Sequence, residues 1–322
     1  MKIIIQFAFV ILVSLLIGIY LGKRYPHRIK LPFIHTHLVF SIGLFKGNSP
    51  FKIGPHASIK QPIINCNDIT GFIAEVVADP FIINENNNWY MFFEIINKNT
   101  KNANIGYATS SNGLNWKYQK IILAESFHLS YPYVFKFNNE FYMIPEAKRS
   151  RSVRLYKAIE FPEKWSLLGI ILNKGYVDTS IIFFEDKWWL FACYNLSGPT
   201  TLHLFYSKDL TGPYIEHPKS PIAEGGRDAR PAGRIISFQG KIVRFAQDNS
   251  QSYAKQVRAF EILKLTTEGY EEKEVFESPI LRDSGQGWNA DGMHHVDLHQ
   301  ISEDEWIACV DGYYAKKELR LF

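Results

Sequence analysis

Carboxylates stand where strongly apolar runs of this chain begin or end. Asp79-Pro80 opens a run that reads ADPFIINENNNWYMFFE, and Glu94 closes it. Glu146 closes SYPYVFKFNNEFYMIPE, Asp178 opens VDTSIIFFEDKWWLFA, and Gln247-Asp248 closes ARPAGRIISFQGKIVRFAQD. A charge at the end of an apolar strand needs a partner. Tyr131, Arg230 and the pair His294-His295 stand at corresponding opening positions, with His128 just ahead of Ser130-Tyr131. Carboxyl groups gathered in this way divide general-acid and general-base work when their surroundings push their pKa values apart. Arg, His and Tyr among them supply the donors and acceptors that sugar hydroxyls require. The expectation is Asp79 as base and Glu146 or Asp178 as acid. Glu94, His128, Tyr131, Arg230, Gln247, Asp248, His294 and His295 are expected to bind substrate. Plainer roles compete with these: Asp79-Pro80 as a turn cap, and Glu94 or Glu146 in ion pairs with Arg230, Arg234 or Arg154. His294-His295 lacks the spacing of a metal-binding motif, so no metal is expected. The chain also lacks a Gly-rich phosphate loop, so no nucleotide cofactor is expected.

The elements that must position these residues come from a repeat. The third apolar run of each copy starts at residues 105, 153, 202 and 257, in steps of 48, 49 and 55. Asn86-Asn87-Asn88, Asn138-Asn139, Glu185-Asp186 and Gln239-Gly240 each separate two apolar runs, as hairpin turns do. A fifth, shorter copy reads GMHHVDLHQISEDEWIACVDG. Five copies of about 50 residues, each with up to four strands, predict an all-β, five-bladed β-propeller. LVFSIGLFKG, from Leu38 to Gly47, is expected to complete the fifth blade and close the ring. A two-sheet sandwich is the rival fold. Innermost strands line a propeller's channel, so the opening motifs should converge on one funnel. Trp89, Trp116, Trp165 and Trp188-Trp189 recur at fixed phases and read as blade packing.

Composition narrows the classes. The chain has 322 residues, is 46% hydrophobic and 15% aromatic, and carries a formal charge of +4. Five bases and no acid lie in residues 1–30; without them 31 bases face 32 acids. The basic balance is therefore local, and no nucleic-acid partner is expected. Cys66, Cys193 and Cys309 are far apart and odd in number, and read as buried or free thiols. Ile3 to Gly22 carries no charge over about 20 residues, enough to cross a bilayer as a helix. The reading is a membrane anchor over 1–22, a basic juxtamembrane linker over 23–37 and a propeller over 38–322. Lys23, Arg24, Arg28 and Lys30 follow the apolar stretch, which places the propeller on the cytoplasmic side by the positive-inside bias.

FSIGLFKGNSPF, ADPFIINENNNWYMFFE, FHLSYPYVFKFNNEFYMIPEA, VDTSIIFFEDKWWLFA, ARPAGRIISFQGKIVRFAQD and GMHHVDLH carry a resemblance. Leu38 to Gly312 resembles the N-terminal propeller domain of plant glucosamine inositolphosphorylceramide transferases and their stand-alone bacterial relatives. The resemblance implies that sugar transfer in the plant proteins belongs to a separate C-terminal domain, which is not expected within these residues. More distantly, the pattern is similar to the glycoside hydrolases of family 43 and their clan. There an Asp-Pro in the first blade supplies the general base, and Asp79-Pro80 matches it. The second-blade Ala-Pro-Asp of that clan is replaced by Tyr131-Pro132-Tyr133, and its Glu-Gly-Pro acid has no counterpart. Two functions follow as expectations. One is a glycosidase-like enzyme acting on a glycan or glycolipid. The other is a non-catalytic module that binds glycan, glycolipid or sugar nucleotide and assists a separate glycosyltransferase.

Overall fold

Hairpins organise the chain. Asn86-Asn87, Asn138-Asn139, Glu185-Asp186 and Gln239-Gly240 all hold two successive positive φ angles, from 49° to 75°. Such two-residue turns match the right-handed twist of the strands they join. In this computed structural model, which describes residues 2–24, 34–195 and 199–319, the strands form five antiparallel sheets in sequence order. The fold is an all-β five-bladed propeller.

The first blade runs Ala74–Glu85, Asn88–Asn97, Ala103–Ser110 and Lys117–Leu123 from the axis outward. The second runs Ser130–Phe137, Glu140–Glu146, Val153–Glu160 and Lys164–Leu172. The third is built from Val177–Phe184, Lys187–Tyr194 and Thr201–Ser207, with short outer pieces at Ile215–Glu216 and Ala223–Glu224. In the fourth, Arg230–Pro231 and Ile236–Phe238 share the innermost position beside Lys241–Asp248, followed by Gln256–Leu265 and Tyr270–Glu274. The fifth places Val296–Ser302 inside, then Glu305–Leu319, Ile34–Ser49 and Lys52–Pro55. The front of the domain thus supplies two strands to the closing blade, where the repeat pattern led us to expect one. The fifth repeat ends after its second strand, so a full blade needs both.

Packing between blades is apolar and aromatic. Phe81, Tyr131, Tyr133, Phe135 and Trp188 belong to one buried cluster that crosses the first three blades. Trp189, Phe191 and Leu204 continue it into the fourth. Trp188 and Trp189 are almost wholly buried, and Trp89, Trp116 and Trp165 pack against the core clusters, as expected. All three cysteines are free thiols, two of them buried.

The innermost strands of the first three blades are bulged at one level. The register with the second strand shifts after Ala78, Ser130 and Val177. The next residues, Asp79, Tyr131 and Asp178, adopt left-handed φ angles of 54°, 45° and 47°. Non-glycine residues rarely take this conformation, and bulges of this kind re-aim a side chain. In the fourth blade Gly233 sits at φ 138°, where an added Cβ would meet the Val296 carbonyl. Only glycine fits so close an approach.

The chain divides into two units: Val39–Tyr314, which is the propeller, and the termini, Met1–Leu38 with Ala315–Phe322. Within the termini, Lys2–Arg24 is helical, and Phe7, Phe9 and Ile11 are more than half exposed. Among the described residues no helix is long and apolar enough to cross a membrane. The transmembrane helix expected over 1–22 is thus not supported among the described residues, since a span needs length and apolarity together over one continuous stretch. Residues 25–33 of the expected linker, with Arg28 and Lys30, and residues 320–322 of the expected propeller lie outside the described residues.

Candidate active site

The strand registers explain which side chains meet. Ala78 pairs with Glu94, Ser130 with Glu146, Val177 with Cys193 and Arg230 with Gln247. Val296 pairs with Val310, which brings Asp311 to the same level in the fifth blade. The second strands therefore present Glu94, Glu146, Cys193, Gln247 and Asp311 at one height, beside the left-handed residues of the inner strands.

A cavity of ≈ 240 Å³ opens there. Asp79, Glu94, His128, Glu146, Arg230 and His294 line it, together with Phe40, Val76, Ala78, Ile96, Ser130 and Tyr253. The structure thus brings six of the expected site residues together from four blades. Asp178 and Gln247 lie just behind that wall. Asp178 is buried, pairs with the Arg230 guanidinium, and accepts from Gln247 Nε2 at 2.8 Å.

Three expected ligand contacts are placed elsewhere. Tyr131 is fully buried, and its hydroxyl is 2.8 Å from Ser180 Oγ, accepts from Gly233 N at 2.6 Å and donates to the Gly233 carbonyl at 3.1 Å. It ties three blades at the axis, because the left-handed backbone turns the ring inward. Asp248 accepts from Ser250, Gln256 and Arg258 within its own blade. Its neighbour Gln247 takes the inward direction, since successive strand residues alternate faces. His295 is fully buried against Phe81 and Tyr131 and donates from Nε2 to the Pro80 carbonyl at 2.9 Å.

Electrostatics separate the carboxyls. Burial pushes Glu146 well above the usual carboxylate range, and the negative charge of Asp178 adds to it. Burial acts on Asp178 in the same direction, but the charge and hydrogen bond of Arg230 outweigh it, and Asp178 ends below its ordinary value. The pair therefore holds one neutral and one ionised carboxyl. Burial pushes Asp79 well above its ordinary value, against a smaller opposing pull from His294, whose Nε2 lies 3.6 Å from its Oδ1. The Asp79 carboxylate also accepts from Tyr131 N at 3.2 Å. Burial lowers His294, but Asp311 at 2.6 Å from Nδ1 overcomes it and carries the imidazole up to about 9. Burial drives the adjacent His295 down to about 4. Glu94 pairs with His128 Nε2 at 3.0 Å.

Asp79, His294 and Asp311 each offer one ligand atom, and these atoms lie within 4.8 Å of one another. They are the described residues with the geometry to hold a cation. As placed, they satisfy one another as an imidazole between two carboxylates, an arrangement that favours the protonated ring over a metal ligand. Asp311 is a site residue that sequence reasoning missed. It closes the apolar run IACVD as Glu94 closes MFFE, and carrying the repeat phase into the fifth copy would have found it. Tyr253 comes from a polar loop with no repeat signal.

The comparisons with known proteins agree with this fold. Glucosamine inositolphosphorylceramide transferase 1 of Oryza sativa subsp. japonica is 34% identical over 297 residues, covering 85% of this chain and 40% of that protein. The protein of the same description from Arabidopsis thaliana is 35% identical over 295 residues, covering 85% and 39%. The chain thus spans about two fifths of the length of these relatives. Among solved structures, a β-1,2-mannobiose phosphorylase from Listeria innocua matches with a TM-score of 0.61 at 12% identity, over 83% of this chain and 96% of that one. An α-L-arabinofuranosidase from Podospora anserina matches at 0.55 and 12% identity, over 74% and 90%. Both show the shared fold. The family model described as Glucosamine inositolphosphorylceramide transferase 1, N-terminal, matches residues 36–313, and the chain belongs to that family.

Proposed function

We propose that the axial cavity binds one sugar residue of a glycan or glycolipid and that the domain cleaves its glycosidic bond. One observation carries this reading: Asp79, Glu94 and Glu146, from the first two blades, face one small polar cavity, and Glu146 is held neutral beside an ionised Asp178. A cavity of ≈ 240 Å³ is smaller than a drug-sized pocket and suits a single terminal sugar. In this reading Glu146 protonates the leaving oxygen. Asp79 takes a proton from the attacking water, and burial makes its carboxylate the stronger base. The positive His294 beside it opposes part of that rise in basicity. Asp178 serves as the charge beside the acid, not as the acid, because Arg230 holds its proton off. Relatives whose printed names describe sugar transfer and structural neighbours that act on glycosides support a carbohydrate ligand.

A second reading has its own support. Arg230 neutralises Asp178, as in a site built to hold a ligand, and the chain matches only part of its transferase relatives. The domain would then present glycan, glycolipid or sugar nucleotide to a separate glycosyltransferase. We further infer attachment to a lipid surface through the exposed apolar side chains of the N-terminal helix, with the propeller on the cytoplasmic side.

The test is incubation of the full chain with a glycan and glycolipid extract, with mass spectrometry of released and retained species. A defined sugar should be released, and Glu146→Gln should slow release by about 10²–10⁴-fold, the usual contribution of a general acid. Retention of an intact glycan by both forms, with nothing released, would overturn catalysis in favour of the binding module.

A further inference from the structure

Ion pairing on the first two blades is regular. Lys101, Lys120, Lys136, Lys157 and Lys164 each meet a glutamate at 2.5–2.8 Å. The pattern breaks beside the cavity. The segment AKRSRSVRLYK, starting at Ala147, contains no acid. It follows directly on Glu146, so Lys148 lies within about 7 Å of that residue along the backbone.

The cations here rest on neutral groups. Lys148 Nζ donates to Asn195 Oδ1 at 2.8 Å. Lys174 Nζ lies 3.9 Å from the centre of the Tyr194 ring and 5.2 Å from that of Tyr176. Arg154 lies 4.8 Å over Phe127, the neighbour of the cavity residue His128, with its Nε on the Ser150 and Ser152 hydroxyls. Arg149 and Arg151 are exposed. Among the described residues none of these five cations forms an ion pair. Two acids of this region have other partners: Glu125 accepts from the Tyr156 hydroxyl at 2.7 Å, and Glu216 is 2.6 Å from His203. Lys148 and Lys174 engage Asn195 and Tyr194, so a cation of the second blade and one from the segment leading into the third meet the same strand end of the third blade.

We propose that Lys148 and Lys174, with Arg149, Arg151 and Arg154 beside them, form a phosphate-binding rim that takes the phosphate of a sugar ester whose ring sits over Glu146. This rests on the reading of the cavity as a sugar site. Several cations around one spot match the multiple acceptor oxygens of a phosphate better than a single carboxylate. Tyr194 adds a ring face on which the sugar can stack.

Thermal unfolding of the full chain in detergent tests the rim, with inorganic phosphate and glucose 1-phosphate as probes. Both should raise Tm, and Lys148→Gln with Lys174→Gln should weaken the response by about tenfold or more, the loss of one or two charge-assisted contacts. Lys101→Gln should leave the response unchanged. The response to inorganic phosphate is read without any glycan, so it stands or falls separately from the sugar release that tests Glu146 as proton donor. Co-sedimentation then distinguishes the sources. Retention on phosphatidylcholine vesicles containing phosphatidylinositol, above phosphatidylcholine alone, assigns the phosphate to a lipid headgroup; no preference, with a response to glucose 1-phosphate, assigns it to a soluble ester. An equal Tm response in the wild type and the double variant, or none to either probe, overturns the proposal.

Discussion

Two levels of the same axis treat charge in opposite ways. In and just behind the cavity wall, five carboxyls, those of Asp79, Glu94, Glu146, Asp178 and Asp311, share one guanidinium, Arg230, and the imidazoles of His128, His294 and His295. Three residues further along the inner strands, Asp297 is fully closed. It receives Arg234 Nε at 2.7 Å, Ile82 N at 2.6 Å and His299 Nε2 at 3.0 Å. Arg234 in turn lies over the rings of Phe81 and Tyr133. Burial would raise Asp297, but Arg234 outweighs it and holds the carboxyl well below its ordinary value. The closed pair is what a structural ion pair needs, with every lone pair occupied. The cavity keeps a surplus of carboxyls, and burial holds two of them, Asp79 and Glu146, well above their ordinary values. That surplus costs stability and is retained where a ligand or a proton is handled.

The sharpest way to break this comparison is to remove one group at each level. Arg234→Met leaves Asp297 buried and unpaired, and should lower stability by about 3–5 kcal/mol in denaturant unfolding. Glu146→Gln removes a group already neutral, and should change stability by less than about 1 kcal/mol. Equal losses would mean that both levels are structural.

Next in size is a pH effect set by two neighbouring histidines. His294 is raised from 6.5 to about 9, so its contribution is complete below pH 6.5 and is lost as pH rises through about 9. His295 is lowered from 6.5 to about 4, so its contribution is complete above pH 6.5 and is lost as pH falls through about 4. Stability against pH should fall on both sides of neutrality, and His294→Gln should remove the alkaline limb alone. An unchanged alkaline limb in that variant would remove the Asp79–His294–Asp311 linkage from the account. The smallest effect belongs to Tyr131→Phe, which strands the buried Gly233 N–H and should cost about 1–3 kcal/mol. It should leave ligand binding at the cavity intact, and a loss of binding without a loss of stability would return Tyr131 to the site.

Much of the fold was legible because a propeller is built from local units. The turn at Asn138-Asn139 and the apolar runs around it specify a hairpin without reference to distant residues, and the repeat makes each copy a check on the others. Glu94 and Glu146 were legible for the same reason, since each holds the same repeat phase in the second strand of its copy. The fifth blade was harder to read, because its two outer strands precede the first copy by many residues and carry no repeat phase of their own.

The amino-acid sequence by itself determined the number of blades, the order of strands and the level at which polar residues gather, because period and turn chemistry are local properties. The tertiary structure alone decided which of those residues face the cavity. Tyr131 and Asp79 share a repeat phase and a left-handed backbone, yet one ring fills the axis while the other carboxyl borders the cavity. Asp178 and Glu146 are both buried acids, yet one is ionised and the other neutral, because Arg230 arrives from a different blade and binds only one of them. Charge state depends on neighbours through space, and those neighbours are set by the closing of the ring.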